Sequence, residues 1–106
     1  MEHLHFEYQG LGARRIDRPA VLVGVVSSGN LEVLIEAADR NGGCQVNVST
    51  SASGFSTIWQ AVLDDFAARH DVANLKISIN DGGATPAVVG LRLDQAIEEF
   101  CGGYHE

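Results

Sequence analysis

The chain is predicted to fold as an α+β domain: a small antiparallel β-sheet with two helices packed on one face, in the order β-β-β-β-α-β-α. Three observations carry this. Apolar and polar residues alternate through Leu31–Ile35, Cys44–Thr50 and Leu75–Asn80, the period of a half-buried strand. After Gly54 the period changes, and Phe55, Ile58, Trp59, Val62 and Phe66 recur at helical three- and four-residue spacing. A second such stripe, Val89, Leu93, Ala96, Ile97 and Phe100, follows the last strand. A sheet with one apolar face and two amphipathic helices can bury both surfaces by stacking in two layers.

The elements follow in order. His3-Leu4-His5-Phe6-Glu7-Tyr8 alternates and suggests a short edge strand. Residues 9–19 carry two glycines, Pro19, Arg14, Arg15 and Arg18, so residues 1–19 as a whole are expected to form a mobile N-terminal segment. Next comes a hairpin with strands near 20–27 and 30–37. Its tip, Ser27-Ser28-Gly29-Asn30, is turn chemistry, because glycine reaches positive φ without steric cost and asparagine tolerates it. Asn41-Gly42 predicts a second hairpin, joining the strand that ends near residue 37 to Cys44–Thr50. Ser53 is the expected N-cap of the first helix, with Arg69 and His70 near the negative end of its dipole. Asp81-Gly82-Gly83-Ala84 forms a tight turn after the fifth strand. Thr85 then caps the second helix, with Pro86 at the first helical position, where a missing N–H costs nothing. Gly102 and Gly103 stop that helix.

At 106 residues the chain is a single domain, long enough to bury a core without staples. Its net charge of −7 disfavours non-specific binding to nucleic acid or anionic membrane, both of which need a basic surface. No apolar run approaches the roughly 20 residues needed to span a bilayer, and no signal peptide is expected before the domain. Cys44 and Cys101 lack metal-ligand spacing and read as reduced thiols, so a cytoplasmic location is expected.

Ser28 is the leading candidate site. A hydroxyl between two strands at a hairpin tip is accessible to a modifying enzyme, and Gly29 beside it carries no side chain to crowd the approach. Ser27, Gly29 and Asn30 would support that loop. No histidine or acid stands at triad spacing from Ser28, and G-x-S-x-G is absent, so intrinsic nucleophilic catalysis is not expected. The bland reading is that Ser27 and Ser28 merely make the turn. His3 and His5 could supply two metal ligands but read as exposed strand residues, and no metal is expected. Asp64 with Asp65, and Glu98 with Glu99, are adjacent on helices and so do not share a face for acid/base work. Asp81-Gly82-Gly83 resembles a phosphate loop only loosely, without a Walker lysine, and a capped strand–helix turn explains it more simply. Arg14, Arg15 and Arg18 could meet an anion near the hairpin but read as solvated linker charge. Trp59 belongs to the apolar stripe and reads as core.

Taken together, three blocks resemble the small acyl-carrier (δ) subunit family of bacterial malonate decarboxylase: Ser28-Gly29-Asn30-Leu31-Glu32-Val33-Leu34, Trp59-Gln60, and Asp81-Gly82-Gly83-Ala84-Thr85-Pro86 running into Leu91-Arg92-Leu93-Asp94-Gln95-Ala96. The likeness covers roughly residues 20–100. The family commonly has an acid where this chain has Asn30, and glycine in place of Ser27 and Ala87. The resemblance implies that Ser28 carries 2'-(5''-phosphoribosyl)-3'-dephospho-CoA through a phosphodiester. It also implies that acetyl and malonyl ride as thioesters on the prosthetic thiol. In that reading the chain is a non-catalytic carrier. Its partners are an acyl transferase (alpha) subunit, decarboxylase (beta and gamma) subunits and a prosthetic-group transferase. The cofactor supplies the chemistry and the protein supplies position. The α+β pattern differs from the helical bundle of an ordinary acyl carrier protein. Two alternatives stay open: the carrier subunit of citrate lyase, and an unmodified α+β interaction module.

Overall fold

A computed structural model describes residues 1–9, 23–28, 30–37, 42–70 and 72–102, with residues 23–28, 101 and 102 described as backbone. The element order is β1 (Glu2–Gln9), β2 (Val23–Ser28), β3 (Leu31–Ala37), β4 (Gly43–Thr50), α1 (Ser56–Arg69), β5 (Leu75–Asp81) and α2 (Pro86–Gly102). This is the expected α+β architecture, with both helices packed on the sheet. The first strand is present and paired with β4 along its whole length, from Glu2↔Thr50 to Gln9↔Gly43. Residues 10–19, with Arg14, Arg15 and Arg18, lie outside the described residues.

Strand order departs from the expected all-antiparallel sheet. The five strands run β1-β4-β5-β3-β2, and β4 pairs with β5 in parallel while every other pair is antiparallel. Consequently β3 and β4 do not form the hairpin that Asn41-Gly42 suggests, because β5 is inserted between them. The 24-residue connection from β4 to β5 contains α1 and is long enough for the crossover that a parallel pair requires. Asn74 holds the chain at the far end of that crossover. It takes φ 60°, a conformation asparagine tolerates, and its side-chain Oδ1 accepts the Gly42 N–H at 2.9 Å. Its own N–H donates to the Gly43 carbonyl at 2.9 Å. The turn at Gly42 is thereby tied to the start of β5 instead of folding back on β3.

Inward positions of the three central strands form the floor of the core: Val33 and Ile35 of β3, Val46 and Val48 of β4, Leu75, Ile77 and Ile79 of β5, all buried. Leu63 and Phe66 of α1 and Leu93, Ala96 and Phe100 of α2 close it from above. The helices are also joined across their outer edge, where Asp94 of α2 meets Arg69 Nη1 at 3.0 Å and His70 Nε2 at 3.1 Å.

The first helix begins later than expected. Its N-cap is Phe55, without a side-chain cap, so Ser53 does not serve; Gly54, at φ 85°, turns the chain between the two. The buried face is Trp59, Leu63 and Phe66, while Phe55 and Ile58 are 46% and 42% exposed. The apolar stripe thus runs into the core only from its second turn, and its first residues stand at the open end of the helix pair. The second helix starts as its sequence predicts, with the Thr85 hydroxyl accepting the Val88 N–H at 3.3 Å and Pro86 at the first helical position. It ends at Gly102; Gly103 lies outside the described residues.

Candidate functional site

The β2–β3 hairpin presents the leading candidate. Register runs Ser27↔Glu32 and Ser28↔Leu31, so Ser28 is the last residue of β2 and a two-residue connection turns the chain. Gly29 lies outside the described residues; Asn30 is an exposed turn residue. Leu31 pairs in turn with Asp81, and Asp81 with Thr50, so one row of residues crosses the sheet at the hairpin end.

That row holds the device that steadies the tip. The Thr50 hydroxyl donates to Asp81 Oδ2 at 2.8 Å, and Asp81 Oδ1 accepts the Gly83 and Ala84 N–H groups at 3.1 and 2.8 Å. Thr50 also accepts the Ala52 N–H at 3.1 Å, and Ser51 donates to the Asp81 carbonyl at 2.9 Å. Both side chains are buried, and each hydrogen-bonding group has a partner, which is the condition for burying polar atoms without penalty. The turn they shape aims the Gly82 N–H at the Asn30 carbonyl, 2.6 Å away. The Asp-Gly-Gly segment is therefore a capped strand–helix turn, as its composition predicts, and it also braces the hairpin.

The brace was not legible as a function, although a signal existed. Asp81 continues the inward phase of Leu75, Ile77 and Ile79, and Thr50 continues that of Cys44, Val46 and Val48. A polar residue at the last inward position of two strands points to a shared hydrogen bond between them. Seeing it required knowing that β4 and β5 are neighbours.

Gly83 sits at φ 116°, and a Cβ there would meet nothing within 4 Å. Gly83→Ala is thus expected to cost only backbone strain, about 1–3 kcal/mol, read as a lower urea midpoint. An unchanged midpoint would show that the turn relaxes freely.

Beside the tip an open groove of about 580 Å³ is bordered by Asn30, Leu31, Glu32, Ser49, Asn80 and Gly82. Its lining mixes the apolar Met1 and Leu31 with the acidic Glu32 and Asp81 and the polar Ser49, Ser51 and Asn80. Asn80 Nδ2 donates to Glu32 Oε1 at 3.1 Å across it.

The other candidates are dispersed. His3 and His5 are exposed on one face of β1, with His3 Nδ1 3.0 Å from Ser49 Oγ, and His5 contacting Asn47 at 2.7 Å and Glu7 at 2.9 Å. Among the described residues, no group of three or more His, Cys, Asp or Glu side chains is placed to hold a metal ion. Cys44 is buried in the core; the Cys101 side chain lies outside the described residues. Asp65 pairs with Arg69 at 2.9 Å, Glu98 and Glu99 are exposed, and Trp59 is buried. No helix among the described residues is long and apolar enough to cross a membrane.

Asp64 has a structural partner. It accepts the Gln60 amide at 2.9 Å and the Tyr8 hydroxyl at 2.8 Å, which hold its carboxyl below the usual range. Tyr8 joins β1 to α1 through this contact. Burial, reinforced by the Asp64 carboxylate, pushes its phenol well above the ordinary value of 10.0. Because the folded-state value is raised, the contribution is complete below about pH 10 and is lost as pH rises through the folded value. Tyr8→Phe is expected to be less stable than wild type at pH 8, with the gap narrowing above pH 10. A constant gap across thermal melts from pH 8 to 11 would contradict this.

The comparisons with known proteins agree among themselves. The family model described as "ACP: Malonate decarboxylase delta subunit (MdcD)" matches residues 18–100. A malonate decarboxylase acyl carrier protein of Stenotrophomonas maltophilia (strain K279a) is 53% identical over 103 residues, covering 97% of either chain. The protein of the same name from Acinetobacter calcoaceticus is 55% identical over 102 residues, covering 96% of this chain and 99% of its own. Among solved structures, a chain in the crystal structure of a Pseudomonas malonate decarboxylase hetero-tetramer in complex with malonate aligns with TM-score 0.69. It is 38% identical, and the alignment covers 94% of this chain and 99% of that one.

Proposed function

The chain belongs to the malonate decarboxylase delta-subunit family, and from that premise we propose that it is an acyl carrier whose Ser28 hydroxyl bears 2'-(5''-phosphoribosyl)-3'-dephospho-CoA through a phosphodiester. The observation that carries the reading is the position of Ser28. It ends a strand at a two-residue hairpin connection, and the turn residue Asn30 is held by Gly82. Ser28 closes the row that runs through Leu31 to Asp81, so the attachment point stands at the end of the sheet beside the braced turn. When bound, the group supplies a thiol that holds acetyl and malonyl as thioesters.

The protein's own part is to present one hydroxyl and to hold it still. A modifying enzyme must bring a phosphorus into line with that oxygen, which a rigid sheet end favours over a loose loop. The Thr50–Asp81 pair fixes the turn, the turn fixes Asn30, and β3 fixes β2 by its ladder. Once attached, a tether raises local concentration to the order of millimolar at partner sites within reach. The carrier takes no catalytic role of its own. Its partners are the alpha subunit, which exchanges acyl groups, the beta and gamma subunits, which remove CO₂, and the prosthetic-group transferase. The Pseudomonas hetero-tetramer supports a multi-subunit assembly of this kind. A net charge of −7 suits docking onto basic partner surfaces.

Intact mass spectrometry of the subunit purified from a host that makes the attachment enzymes tests this directly. A single adduct of the mass of the CoA-derived group is expected. An unmodified mass would defeat the carrier reading.

A further inference from the structure

A second feature lies on the other side of the bracing turn. Between the first turns of α1 and α2 is a cavity of about 250 Å³, walled by Phe55, Ile58, Trp59, Val62, Pro86 and Val89. Asp81, Gly83 and Ala84 close one end of it. Phe55 and Ile58, the apolar residues left out of the core, stand on its wall, while Trp59 and Val89 are buried behind them. A four-residue turn thus carries the hairpin tip on Gly82 and the cavity on its neighbours. In the sheet, Ser28 is two interstrand steps from Asp81, about 10 Å between Cα atoms at ordinary strand spacing.

We infer that this cavity shelters the uncharged acyl end of the arm borne by Ser28, taking an acetyl thioester and refusing a malonyl one. The inference rests on the carrier reading above. Its physical basis is threefold. An apolar cavity gains free energy by covering a methyl and a thioester sulfur, which water solvates poorly. Covalent attachment within about two strand spacings makes entry an intramolecular event, so weak contacts suffice to populate it. Among the described residues the lining holds no lysine, arginine or histidine, and its one ionisable member is the acidic Asp81. A second carboxylate would lose its hydration there without gaining a cation, and the malonyl form stays in solvent. The chain would thereby protect the acyl group that waits between cycles and leave exposed the one about to react.

The test uses the full-length subunit, loaded on the arm with ¹³C-methyl acetyl or with malonyl, and its mass checked before each measurement. Hydroxylamine is expected to cleave the acetyl thioester on wild type about fivefold more slowly than on Val62→Phe, which fills the cavity; a fivefold effect corresponds to roughly four molecules in five sheltered. The malonyl thioester should be cleaved at one rate in both. Nuclear Overhauser contacts from the labelled methyl to Trp59 or Val89 are expected in wild type, a measurement that requires no variant. Equal acetyl cleavage on a correctly folded Val62→Phe, or no such contacts, overturns the inference while leaving the carrier reading intact. Absence of any adduct on wild type overturns both.

Discussion

Ser28→Ala is expected to abolish attachment completely, leaving the subunit at its unmodified mass and the assembled enzyme without malonate decarboxylation, while Ser27→Ala is modified normally. The two serines differ in place more than in chemistry. Ser28 closes β2 opposite Leu31, next to the two-residue connection, whereas Ser27 sits one step back, paired with Glu32. Successive residues on a strand point to opposite faces of the sheet, so an enzyme aligned on one hydroxyl cannot reach the other from the same side. Side-chain loss at the end of a hairpin should cost little stability, so Ser28→Ala keeps its fold and the defect is chemical. Circular dichroism and a urea midpoint within experimental scatter of wild type would establish that. An adduct retained on Ser28→Ala and lost on Ser27→Ala would move the site by one residue; an adduct on neither would leave attachment intact in principle but broken by the loop.

Asp81→Ala should produce the largest loss of stability of any single change near the tip, about 3 kcal/mol. Three donors point at this carboxylate, and removing it strands the Thr50 hydroxyl, which is wholly buried, along with two backbone N–H groups. The Thr50 hydroxyl is a buried donor whose stranding costs about 1–3 kcal/mol, and the Gly83 and Ala84 N–H groups, nearer the surface, add the order they give the turn. Asp81→Asn keeps an oxygen for Gly83 and Ala84 but turns an N–H₂ toward Thr50, so its loss should be nearer 1 kcal/mol. The same order should hold for function. With the turn loosened, Gly82 no longer fixes Asn30, and prosthetic-group attachment to Asp81→Ala should be slower at temperatures where the variant is still folded. Urea unfolding ranks the stabilities, and a mass-spectrometric time course ranks the attachment rates. Equal stabilities for the alanine and asparagine variants would show that the carboxylate network does not hold the turn.

Much of this protein was legible without coordinates because its elements are strongly periodic. The alternation of β3, β4 and β5, the stripe of α2, the Thr85-Pro86 start and the hairpin at Ser28 all depend on residues near one another in the chain. Local sterics and the inward preference of apolar side chains act within a few residues of sequence. Where the reading failed, a local signal competed with a distant one. Asn41-Gly42 is good hairpin chemistry, yet Gly42 is tied to Asn74, 32 residues away. Phe55 and Ile58 have the spacing of core residues but lie beyond the point where α1 meets the sheet.

By itself, then, the amino-acid order determined which segments become strands and helices, which face of each is apolar, and which serine stands at a hairpin end. Tertiary structure alone decided that β5 occupies the centre of the sheet, that Thr50 and Asp81 meet, and that their turn supports Asn30 on one side and a cavity on the other. The reason is physical: periodicity encodes a residue's own environment, but the choice of neighbouring strand is settled by which arrangement of the whole sheet covers the most apolar surface while pairing every buried polar group.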